Sequence, residues 1–163
     1  TSGIVENIEL TSTQNKVLKE CCSNLLLVPS NRSRPADKVL SKLKNAEGTR
    51  DSLIKIRDYC QQFLNNTSTD EEKIQNDLNH FVSASWEIKK EMSGVMDKEL
   101  NAQYDLINLV PNNWIRLVGA GFGGYFLISP KVSTFEAIKK IESNGLYAFR
   151  AEVSHKGLET IIF

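Results

Sequence analysis

The chain has 163 residues, 40% of them apolar and 25% charged, a composition that suits one globular domain with a full core. Lysine plus arginine equals aspartate plus glutamate, 20 against 20, so no polyanionic partner such as nucleic acid is implied. The three cysteines, Cys21, Cys22 and Cys60, form no CxxC pair, His80 and His155 stand apart, and no run approaches the roughly 20 apolar residues of a membrane span. A zinc site and a membrane anchor are therefore not expected, and reduced thiols fit a cytoplasmic protein.

In chain order, GIVENIEL (3–10) reads as a strand. A polar stretch follows, and NLLLVPS (24–30) has the pattern of a buried strand stopped by Pro29. Pro35 suits the first turn of a helix carrying Val39, Leu40 and Leu43. Leu53, Ile56, Cys60, Phe63 and Leu64 recur at helical spacing over 49–65. Ser68-x-x-Glu71 or Thr69-x-x-Glu72 offers a capping box for a long helix from about 70 to 96. A further helix is predicted from Lys98 to about Val110, with Asp97 and Glu99 at its boundary. The period then changes. WIRLVGA (114–120) and YFLISP (125–130) read as strands, 133–145 as an amphipathic helix capped by Ser133 or Thr134 and ended by Gly145, and YAFRAEVS and GLETIIF as closing strands joined at HKG. The sum is α+β, and the order fits a ferredoxin-like split βαβ antiparallel sheet with a helical insertion.

Between the strands at 114 and 125 stand four glycines in six positions, Gly119, Gly121, Gly123 and Gly124. A hairpin turn needs only one or two. The spacing misses the dinucleotide fingerprint, and a strand follows rather than a helix N-terminus. A loop whose bare backbone lets another backbone or an anionic ligand approach closely is the remaining reading.

The string LVGAGFGGYFLIS (117–129) resembles the C-terminal glycine motif of the GHMP small-molecule kinases, whose usual core is GAGxGG between two apolar strands. NLLLVPSNRSRPADKVL, SWEIKKEMS (85–93) and FRAEVSHKGLETI resemble segments of the heptose-phosphate and fucose kinase branch, while Phe122 is closer to the galactokinase form. The resemblance implies that 1–163 is the C-terminal domain of an ATP-dependent sugar kinase. That enzyme would move the γ-phosphoryl of Mg-ATP to a hydroxyl of a heptose 7-phosphate-like sugar, fucose or galactose. Gly119, Ala120, Gly121, Phe122, Gly123 and Gly124 would support the phosphate loop. ATP and Mg2+ would be held mainly by an N-terminal kinase domain, whose Pro-x-Gly-x-Gly-Ser-Ser loop has no counterpart here, and the chain opens at Thr1 in the manner of a fragment. No catalytic residue is expected within it.

Arg32 and Arg34 either clamp an anionic sugar phosphate or are solvated loop arginines. Lys89 and Lys90 either face the cleft or line a solvated helix face. Trp86 reads as core or interdomain packing, and of Tyr125 and Phe126 one must face the core. A non-catalytic ferredoxin-like module, small-ligand-binding or regulatory, is the competing reading.

Overall fold

A side-chain oxygen at an N-cap satisfies amides that a helix start leaves without partners, and most helices here begin on one. The computed structural model describes residues 9–32, 48–92, 94–119 and 123–152. Helix α1 (Ser12–Ser23) opens on a capping box between Thr11 and Gln14. It occupies the polar stretch for which no helix is predicted, because its buried positions are only Gln14 and Val17. The Gln14 amide donates to the carbonyls of Phe63 (2.7 Å), in the last turn of α2 (Thr49–Leu64), and of Asn66 (3.0 Å), just beyond it. A glutamine thus does what an apolar residue would do elsewhere: it fastens one helix to another.

Helix α3 (Glu71–Glu91) is capped by Asp70, which accepts from the amides of Glu72 and Lys73. The expected capping box at Ser68 or Thr69 is not used; a carboxylate in place at the helix start serves better against the positive end of the helix dipole. The helix stops at Glu91, short of the predicted Met96, and Gly94 takes φ +78° just beyond it. Asp97 caps α4 (Lys98–Asn108), and Ser133 caps α5 (Thr134–Ser143), which Gly145 terminates at φ +75°.

Four strands, β1 (Leu26–Pro29), β2 (Asn112–Val118), β3 (Tyr125–Pro130) and β4 (Phe149–Arg150), form one antiparallel sheet in the order β2-β3-β1-β4. This is the split βαβ order, with α2, α3 and α4 placed between β1 and β2. Strand alternation puts Leu26 and Val28, Ile115 and Leu117, and Phe126 and Ile128 on one face. They join Leu100 and Ile107 of α4, Ala137 and Ile141 of α5, and Trp86 of α3 in the main core. Trp86 is therefore core, and of the Tyr125–Phe126 pair it is Phe126 that points inward. A second cluster, Val17, Phe63, Ile74 and Leu78, binds α1, α2 and α3 together. The first predicted strand, apart from Glu9 and Leu10, the Pro35 helix and the GLETIIF strand lie outside the described residues. Among the described residues no helix is long and apolar enough to cross a membrane.

Candidate functional site

Strands β2 and β3 pair up to Val118 opposite Tyr125, and the glycine loop joins them beside the exit of β1. Gly119, Gly123 and Gly124 all have positive φ, at +102°, +154° and +106°. Two of them are explained within the chain. A Cβ on Gly123 would stand 2.6 Å from the carbonyl oxygen of Arg32, and one on Gly124 would stand 2.8 Å from that of Val118. The approach is bonded as well as close: the Ser30 amide donates to the Gly124 carbonyl (2.9 Å), and the Gly124 amide donates to that of Arg32 (3.3 Å). The chain reaches this contact through Asn31, which adopts φ +53°. Gly119 differs, for a Cβ there would meet nothing within 4 Å. Its carbonyl accepts from Lys89 Nζ at 2.8 Å. Ala120, Gly121 and Phe122 lie outside the described residues, as does Arg34.

Arg32 is not a solvated loop arginine. Its guanidinium pairs with Asp97 and stands 3.2 Å from Glu99, both at the start of α4. Asp97 therefore does two things at once, capping α4 through the Leu100 amide (3.0 Å) and holding Arg32. Burial works against ionisation of Asp97, but the Leu100 amide and Arg32 outweigh it and hold the carboxyl below its usual 3.8. A depressed carboxyl pKa contributes stability that is present above the unfolded value and lost as pH falls through the folded one. Asp97→Ala is expected to cost about 1–2 kcal/mol, the loss of a good N-cap, in urea titrations at pH 7. The deficit should shrink as the titrations are repeated below pH 3.8. A constant deficit across that range would show that the charge contributes nothing.

The two adjacent lysines of α3 divide. Lys90 turns to Glu87 (2.7 Å) and lies over the Tyr104 ring, 5.1 Å from its centre. Lys89 turns to the glycine loop. Beside it is Arg116, for which the sequence reading finds no role. Its neighbours Ile115 and Leu117 are buried in the main core, so alternation along β2 turns Arg116 to the opposite face, toward Lys89 of α3 and Cys60 of α2. Burial lowers the pKa of Arg116, and burial followed by the Arg116 charge lowers that of Lys89. The Arg116 Nε is enclosed without a hydrogen-bond partner among the described residues. The available signal was a lone arginine inside the apolar run WIRLV. Lys89 thus bonds Gly119 at the end of β2 within range of the Arg116 charge, while Gly123 and Gly124 meet Arg32 at the start of β3.

No family model matches the sequence, and no match is found among curated proteins. Solved structures do match. A mevalonate kinase superposes with a TM-score of 0.66 at 17% identity, covering 86% of this chain and 42% of that one. The mevalonate kinase of Methanococcus jannaschii gives 0.64 at 15% identity over 86% and 42%. That of L. major, solved in complex with R-mevalonate, gives 0.59 at 13% identity over 80% and 43%. The chain spans less than half the length of these structures, and at such identity the likeness establishes a fold shared with that part of these mevalonate kinases.

Proposed function

We propose that residues 1–163 form the C-terminal domain of an ATP-dependent small-molecule kinase of GHMP type. An N-terminal domain would bring ATP and Mg2+ against the glycine loop, and the acceptor would be a hydroxyl of a sugar or sugar phosphate. What carries the reading is the loop itself, a glycine segment between β2 and β3 with a lysine on one flank and a braced arginine on the other. The likeness of fold to mevalonate kinases supports it independently. Phosphoryl transfer is mostly positioning and charge stabilisation. A bare backbone suits that task, since it can approach phosphate oxygens closely and Gly119 has open space beside it. Gly123 and Gly124 press on the β1 exit and so fix the end of the loop that enters β3. Arg32, already tied to Asp97 and Glu99, sets the position of that exit more than it grips a ligand.

The heptose 7-phosphate-like acceptor rests on the resemblance in NLLLVPSNRSRPADKVL and SWEIKKEMS; mevalonate is the acceptor to set against it, because a matched structure holds R-mevalonate. The test is ADP release from Mg-ATP by the natural full-length product, across hexoses, heptose 7-phosphate and mevalonate. Turnover with one of them is expected. Absence of turnover with all of them, in a product that binds ATP, would count against the kinase reading.

A further inference from the structure

We infer that Lys89 and Arg116 form a receiving site for a phosphoryl group at the Gly119 end of the loop. The inference deepens the kinase reading and rests on it for the source of the phosphate. Ion pairs among the described residues occupy Lys16, Arg32, Arg57, Lys90 and Lys140, and none of them involves Lys89 or Arg116. Two cations brought together in a partly buried place, with no carboxylate paired to either, oppose folding rather than support it. The groups that face them are few. Among the described residues Lys89 has the Gly119 carbonyl as its hydrogen-bond partner, and Arg116 has Cys60 nearby. Burial first, and then the Arg116 charge, lowers the pKa of Lys89.

A phosphoryl group fits what is left over. Its oxygens accept from both a lysine ammonium and an arginine fork, and its charge removes the repulsion between them. Gly119 adds the space, since among the described residues, its chain neighbours aside, nothing lies within 4 Å of the position a Cβ would take. The Lys89 contact to the Gly119 carbonyl is an exposed one that a ligand can replace.

The test is calorimetric titration of the 163-residue chain with inorganic tripolyphosphate and, separately, with glucose 6-phosphate. Lys89→Gln and Arg116→Gln are each expected to weaken binding about tenfold or more, the loss of one charge-assisted contact, while Lys89→Arg retains most of it. The thermal midpoint of Lys89→Gln should be unchanged or raised, because a repulsion is removed; a purely structural lysine would give a lower one. Preference for tripolyphosphate marks a nucleotide as the source, and preference for glucose 6-phosphate marks a phosphorylated substrate. Equal binding by the parent and Lys89→Gln, or no binding of either probe by the parent, overturns the inference; Lys89→Gln decides if Arg116→Gln does not fold. A full-length product that turns over no acceptor while the chain still takes up tripolyphosphate through Lys89 removes the kinase reading alone.

Discussion

Gly123→Ala is expected to destabilise the chain by about 2–4 kcal/mol, because a strained backbone and a backbone clash act at the same residue. The φ of +154° is one that an L side chain rarely adopts. The added methyl would also stand 2.6 Å from the Arg32 carbonyl oxygen and 3.1 Å from its carbon. Both atoms are main chain, so no side chain can swing aside. Relief requires the Arg32 backbone to move, which breaks the bond between the Gly124 amide and the Arg32 carbonyl and disturbs the hold on Asp97. Gly119→Ala is the comparison. Its φ of +102° carries strain, but the methyl enters open space, and about 1–2 kcal/mol is the expected loss. Urea denaturation of the two variants checks the difference, which isolates the close contact from the conformational strain. Equal losses would mean that the approach of the loop to the β1 exit is not a tight one.

The same loop shows how far a sequence can be read here. The β2–β3 hairpin was legible because two apolar runs flank a cluster of glycines, and β3 falls at 125–130 as the spacing predicts. The need for close approach was legible too, but its object was not. Gly123 and Gly124 meet Ser30–Arg32 of their own chain, a contact between positions about ninety residues apart that no local pattern encodes. Helix α1 was hidden because a buried glutamine replaces the apolar stripe that a periodicity search requires. Arg32 can be singled out by type and place, but whether it pairs or stays free depends on Asp97, which the sequence marks only as a helix boundary. Arg116 illustrates the other limit. Burial and the proximity of Lys89 give it interest, and both arise from how α3 lies along β2.

Phe126→Ala is expected to cost about 3–5 kcal/mol, the range for truncating a fully buried aromatic. Phe126 stands in register between Val28 on β1 and Leu117 on β2, and its ring lies 6.2 Å from that of Tyr104 on α4. Removing it leaves a cavity where the two central strands and a helix meet, two positions after Gly124. Tyr125→Ala provides the contrast, since Tyr125 is 44% exposed and touches only the edge of the Phe149 ring among the aromatic neighbours described. Less than about 1 kcal/mol is expected there. Because side chains alternate along a strand, a slip of one residue would exchange the two outcomes. The pair of denaturation curves therefore tests the register that aims the glycine loop. If Tyr125→Ala is the costlier change, β3 is turned over, and the loop meets a different surface from the one on which Lys89 and Arg116 stand. Leu117→Ala combined with Phe126→Ala should fall short of the sum of the two single losses, because the residues are directly opposed and share one cavity.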